Sequence, residues 1–260
     1  MLTRIHIKNF KGIKDTIVNC ELDYNVFIGE NNVGKTTIFE AIHLWKRCYD
    51  LNVKKKNDGF YASAKNILFK NLETIRVTHD RDIFPLDLPK NELECTITLT
   101  FEIDNDRYDL GFIISKPTSI DDAYLQINYA NSNEFFRFAT KIASLPNHNV
   151  SNIISINESR PVANIIANEP KMTTAEIKDK IAKGKSHEVL RNKVLSNEDK
   201  IAAHIEAITG ERPNFWAEDK KAYIEMKVND KDILSFGSGF IQLVELFSSI
   251  EYSDSLIKIL

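Results

Sequence analysis

Gly29, Gly34, Lys35 and Thr36 stand at the spacing G-x-x-x-x-G-K-S/T, within the stretch Val26-Phe27-Ile28-Gly29-Glu30-Asn31-Asn32-Val33-Gly34-Lys35-Thr36-Thr37. Each residue type answers a demand of polyphosphate binding. Glycine tolerates positive φ, so a short loop can curl with its backbone N–H groups turned inward on an anion. A lysine ammonium reaches the β- and γ-phosphates, and a threonine hydroxyl takes a place on Mg²⁺. A helix starting at this point adds the positive end of its dipole. The loop contacts expected for ATP are therefore Gly29, Asn31, Asn32, Val33, Gly34, Lys35, Thr36 and Thr37. Thr36 is the expected Mg²⁺ ligand and Lys35 a catalytic cation.

Such a loop works only between a strand and a helix. Residues 26–28 are an apolar β-type run. Residues 35–48 carry Ile38, Phe39, Ala41, Ile42 and Trp45 at helical spacing. Upstream, residues 2–7 alternate like a first strand, Lys8-Asn9-Phe10-Lys11-Gly12 reads as a turn, and residues 15–22 as a second strand. Two strands ahead of the loop is unusual for Ras-like or adenylate-kinase-like folds. No Asn-Lys-x-Asp base-reading motif occurs, so a GTPase is rejected.

Downstream, residues 50–58 are polar and basic. With Lys46, Arg47, Lys65 and Lys70 they form either a basic surface or a solvated loop beside a helix end, the commoner fate of lysine runs. A short helix is expected over 62–73 and a proline-bounded loop over 80–89. Residues 92–103, 107–115 and 122–129 read as an antiparallel meander, with turn chemistry at Asp104-Asn105-Asp106. A helix follows over 134–143 and a β run over 150–156. Residues 173–210 form a helical lobe, with Thr174 able to N-cap, breaks near Gly184-Lys185-Ser186 and 193–197, and Gly210 ending the run. A hairpin over 222–228 and 231–234 leads to Ser235-Phe236-Gly237-Ser238-Gly239-Phe240, ahead of an amphipathic helix over 241–250.

The run Ile5-His6-Ile7-Lys8-Asn9-Phe10-Lys11-Gly12, then a strand, then residues 26–42, resembles the start of ABC-type ATPases with RecF, SMC and OLD-like heads. The match over residues 2–44 is close and specific. The resemblance implies an α/β fold: a P-loop ABC-ATPase-type head with a mixed sheet, an antiparallel β-meander and an inserted helical lobe. It implies an ATPase with ATP and Mg²⁺ as cofactors, closing as a homodimer or higher homo-oligomer on ATP. It adds Asn9 and Lys11 of the first turn to the nucleotide contacts.

Residues 235–240 resemble the family's Leu-Ser-Gly-Gly-Gln/Glu signature, which meets the γ-phosphate held by the partner copy. This places Ser238 and Gly239 on the nucleotide, although the usual serine falls at Gly237 and the usual Gln/Glu at Phe240. Ser238 or Ser235 would supply the hydroxyl. A hinge before a helix is the plainer alternative. The family also places a water-sensing glutamine between meander and lobe. None occurs there, and the topology puts Asn157 or Glu158 at that catalytic position. No run of four apolar residues followed by two acids occurs, so the Mg²⁺-binding and water-activating carboxylates are expected beyond Leu260, after a strand beginning near residue 255.

The implied organisation is a nucleotide-binding core over 1–165, a helical lobe with a short hairpin over 166–234, and the signature-like motif, helix and start of a carboxylate-bearing strand over 235–260. OLD-like and RecF-like proteins act on DNA or in defence against phage, beside a nuclease or toxin effector, so DNA and an effector protein are expected partners. A nucleotide-gated scaffold that binds ATP and sequesters an effector with little hydrolysis is the alternative. A transporter's ATPase subunit fits less well, because the Lys-Asn-Phe opening points to the RecF/SMC/OLD side.

The remaining composition agrees with this class. Of 260 residues, 43% are hydrophobic and 27% charged, enough apolar content for a core. No apolar run approaches the ~20 residues of a membrane span, and the N-terminus lacks the apolar region of a signal peptide. Cys20, Cys48 and Cys95 are few and widely spaced, which fits a reducing, cytoplasmic compartment. The net charge of −3 gives no general pull on nucleic acid, so any DNA surface would be a local patch.

Overall fold

A computed structural model describes the chain apart from residues 22–24, 31–33, 57–58, 63–64, 73–74, 118–120, 146–149, 151–152, 157–167, 183–184, 220–222, 254–256 and 260. The chain divides into two compact units, Met1–Ser151 and Asn152–Leu260.

The first unit is built on alternation. In β6 (Glu94–Ile103) and β7 (Asp106–Ser115) the residues Cys95, Ile97, Leu99, Phe101, Leu110, Phe112 and Ile114 all fall on the buried side. One face of the sheet is therefore apolar and must be covered. β1 (Leu2–Phe10) and β2 (Ile13–Asn19) pair antiparallel, and β1 also pairs with β6. With β8 (Tyr124–Tyr129) and β5 (Ile67–Leu68) they form a six-stranded sheet in the order β2-β1-β6-β7-β8-β5. The helix α1 (Lys35–Asn52) packs on β1 and β6, and α2 (Ser132–Ser144) packs on β7.

Trp45 of α1 is the centre of this core. It is fully buried, and its indole N–H donates to Leu110 O at 2.7 Å. Its ring lies 5.2 Å from Tyr49, 5.8 Å from Phe112 and 6.1 Å from Phe101. Gly111 of β7 is required by close approach: a Cβ there would lie 2.7 Å from Thr98 Oγ1 and 3.0 Å from the Ala130 methyl. Gly111→Ala is expected to destabilise the protein by about 1–3 kcal/mol, the usual range for overpacking, read as a lowered denaturant midpoint with unchanged slope.

Two local expectations are corrected, and a third gains detail. Among the described residues of 62–73 there is no α-helix. β4 (Gly59–Ala62) pairs with β3 (Val53–Lys56), Ile67 and Leu68 pair with β8, and Phe69–Asn71 is one 3₁₀ turn. Apolar residues at near-helical spacing were needed to extend a sheet edge instead. The basic stretch after residue 50 is the end of α1 followed by this β3–β4 hairpin, not an open loop. The loop after 80 is proline-bounded as read, but it is also internally braced. Arg81 donates to the carbonyls of Phe84, Pro85, Leu86 and Leu88, at 2.9 to 3.3 Å, while the Leu86 side chain stays 87% exposed.

The second unit is a helical lobe with two small sheets. α3 (Thr174–Ala182), α4 (Leu190–Leu195) and α5 (Glu198–Thr209) break where the sequence breaks them, and Gly210 ends α5 with φ 78°. The cap of α3 is one residue earlier than read: Thr173 and Glu176 bond reciprocally, so Thr173 caps and Thr174 is the first helical residue. β10 (Phe215–Asp219), which the sequence reading missed, joins β11 (Ile224–Val228) and β12 (Lys231–Asp232). α6 (Ser238–Tyr252) packs Ile241, Val244 and Phe247 against Leu190, Val194, Ile201, Ile205, Met226 and Val228. β9 (Ile154–Ile156) pairs in parallel with β13 (Ile257–Ile259), a strand where the apolar run after residue 255 predicts one.

Candidate nucleotide site

The phosphate loop is described at both ends, with Asn31, Asn32 and Val33 outside the described residues. Gly34 is the N-cap of α1 and has φ 94° and ψ 8°, the left-handed region that glycine enters without a Cβ penalty. No side chain caps this helix, and its first turn holds no acid. The first amide bonded back to the cap is Ile38 N, 3.1 Å from Gly34 O. The amides of Lys35, Thr36 and Thr37 precede it and lack intrahelical acceptors, as at every helix start. Helix starts of this kind suit an anion.

Lys35 Nζ donates to Gly29 O at 2.6 Å and to Glu30 O at 2.7 Å. The ammonium is thus folded across the mouth of its own loop, bringing Gly29 and Lys35 together. An ammonium has three donors, so one more remains for a phosphate oxygen. Thr36 is exposed and Thr37 half-buried on the first turn. The hydroxyl of Thr36 is therefore open to a hydrated cation, and hydroxyl oxygen is a donor type that Mg²⁺ accepts.

The segment before the loop departs from expectation. Residues 26–28 are not a strand: Val26 is 81% and Ile28 87% exposed, while Phe27 packs edge-on against Phe39 of α1, 5.3 Å between ring centres. The alternation is that of extended chain. A strand also needs a hydrogen-bonded neighbour, and none pairs with these residues among those described.

Asn9 and Lys11 both have positive φ, 54° and 51°, at the β1–β2 turn. The turn is pinned by Lys11 N donating to Ile83 O at 2.7 Å. The Lys11 side chain is engaged inside the unit: Nζ pairs with the buried Glu40 carboxylate of α1 and donates to Arg76 O at 3.3 Å, while Glu40 Oε1 accepts from Arg76 N. Lys11 is therefore held on α1 five residues past Lys35, about 7.5 Å along the helix axis. The sequence reading missed Glu40. Its only signal is an acid on the otherwise apolar face of α1.

The second unit carries the other predicted contacts. Gly237 is the N-cap of α6, again with no side-chain cap and no acid in the first turn. Ser238 and Gly239 are exposed at its first two positions. The two serines sit differently. Ser235 Oγ donates to Asp232 O at 2.6 Å, whereas Ser238 stands on the helix end itself. Asn157 and Glu158 lie outside the described residues. Among the described residues no group of three or more His, Cys, Asp or Glu could hold a metal ion. No helix there is long and apolar enough to cross a membrane.

A curated relative, an uncharacterized protein of Methanocaldococcus jannaschii, is 31% identical over 88 residues, covering 30% of this chain. The chain matches 40% of that relative's length. Two solved structures of the recombination mediator RecF, one with ATP and one with ATPrS, align over the whole chain and over 92% and 83% of their own. Identities are 9% and 11% and TM-scores 0.43 and 0.42. The family model of the AAA ATPase domain, AAA_15, matches residues 1–251, and the chain belongs to that family of ATPase domains.

Proposed function

We propose that this ATPase domain binds Mg·ATP on residues 29–37 and closes as a homodimer, with Ser238 and Gly239 of one copy completing the site of the other. Two helices support the reading. α1 and α6 both begin at a glycine cap, with no side-chain cap and no acid in the first turn. α2, by contrast, is capped by Asn131 and α3 by Thr173. Two such helix starts aimed at one polyphosphate divide its charge between them. The position of Lys35 is the single observation that carries the reading, because its ammonium is held back on the carbonyls of Gly29 and Glu30, within the motif that takes β- and γ-phosphates elsewhere.

In this scheme Lys35 and the loop amides stabilise phosphoryl charge, Thr36 holds Mg²⁺, and the Ser238 hydroxyl and α6 amides contact the γ-phosphate from the partner. Asn157 or Glu158 positions the attacking water. A role in DNA transactions or anti-phage defence, a nuclease or toxin effector and a cytoplasmic setting rest on the family resemblance alone.

The test is native mass and phosphate release measured together, with Mg·ATP, with ADP and without nucleotide. ATP is expected to double the mass, and ADP to leave it unchanged. Ser238→Arg is expected to keep ATP affinity within about twofold and to lose the mass change. A protein that stays monomeric under saturating ATP overturns closure. Closure without phosphate release favours the scaffold that binds ATP and holds an effector.

A further inference from the structure

α6 does not rest on an apolar core alone. Lys193 of α4 is completely buried, and its Nζ donates to Ser186 Oγ at 2.7 Å and to Ser249 Oγ of α6 at 2.9 Å. Glu245 of α6 is 1% exposed, and among the described residues neither carboxylate oxygen has a hydrogen-bond partner. Burial pushes the Lys193 ammonium down to about 8 and the Glu245 carboxyl up, while each charge partly offsets the other's shift. Glu169 is also buried close by, but both its oxygens are engaged. It accepts from Arg191 N, Asn192 N and Asn192 Nδ2 at 2.7 to 2.8 Å.

Lys193 thus has two of three donors engaged, and Glu245 has none of its acceptors engaged. The two are complementary, and Glu245 lies on the same side of α6 as Ser249, one turn before it. A buried pair of this kind is a poor source of stability: well-packed apolar residues in its place are often neutral or better. Ser238 precedes Glu245 by seven residues, two turns less about 20°, so both project from one face of the helix.

We propose that Lys193 and Glu245 are positioning residues that set the axial seat of α6, and with it the placement of residues 237–239 on the nucleotide of a second copy. Lys193 holds α6 at Ser249 in one seat and at Glu245 in the other. Exchange moves α6 along its axis by a fraction of the 5.4 Å turn between them, and the flexible lysine stem takes up the rest. The inference rests on the dimer reading above and goes beyond it by naming what moves the signature-like helix.

The test uses Glu245→Gln, which keeps shape and removes charge, and the double variant Lys193→Met with Glu245→Leu, which fills the site with apolar atoms. Both are compared with the wild type for thermal midpoint, ATP affinity, ATP-dependent mass and turnover. The double variant is expected to melt at or above the wild-type temperature and to bind ATP within about twofold, yet to lose at least about tenfold in turnover and ATP-dependent dimerisation. Glu245→Gln is expected to show the same split. A double variant that folds and closes or turns over within about twofold of wild type overturns the inference and leaves the dimer reading standing. A wild type that neither closes nor hydrolyses overturns the dimer reading and the inference with it.

Discussion

Lys35→Ala is expected to weaken ATP binding at least about a hundredfold while leaving the fold intact. The removed ammonium would contact two phosphate oxygens, one through its remaining donor and one through a donor that now serves a loop carbonyl. Charge-assisted hydrogen bonds contribute about 1.5–3 kcal/mol each, and about 1.4 kcal/mol is a factor of ten in affinity. The present partners of the ammonium are the carbonyls of Gly29 and Glu30, both exposed residues that water can satisfy. The thermal midpoint without nucleotide should therefore move by no more than about 2 °C, the range of surface substitutions. Titration calorimetry with Mg·ATP and a melting curve separate the two effects. Undiminished affinity in the variant would end both the ATPase and the scaffold readings.

Trp45→Ala has the opposite profile. The indole is fully buried among Tyr49, Phe101 and Phe112, and its N–H satisfies Leu110 O. Truncation leaves a cavity and removes the indole hydrogen bond, a loss of about 3–5 kcal/mol. For a chain of this length that lowers the melting temperature by roughly 6–20 °C. Trp45→Phe, which keeps most of the volume and loses the N–H, is expected to cost less than half as much. Equal losses in the two variants would mean that the hydrogen bond, not the volume, holds α1 to the sheet.

How far the sequence was legible varies with the range of the interaction. α1, α6, the meander and the breaks of the lobe follow from local periodicity, because each element's buried face is written into its own residues. The extended chain at 26–28 has strand propensity, but pairing depends on a neighbour that propensity does not name. β5 shows the converse, since two residues of a helix-like pattern were recruited by β8, more than fifty positions away. The site divides in the same way. The phosphate loop is a contiguous motif, so its residue types could be read directly. The Lys11–Glu40 pair spans 29 positions. Lys193 looks like an ordinary surface lysine on α4 until the neighbouring helices close over it. Charged residues are seldom fully buried, so no pattern rule would have placed it in a core.

The brace around Arg81 has a consequence for the exposed loop it serves. Ordering a free backbone costs about 1–2 kcal/mol per residue, and residues 84–88 have met that cost before anything touches them. A protease needs several residues of extended chain in its cleft, so cutting beside Leu86 first requires pulling four carbonyls off one guanidinium. Exposure and susceptibility therefore part company on this surface. Leu86 and Ile28 are equally open to solvent, at 87%, yet four carbonyls around Leu86 are gathered on one guanidinium, while beside Ile28 Lys35 holds two, those of Gly29 and Glu30.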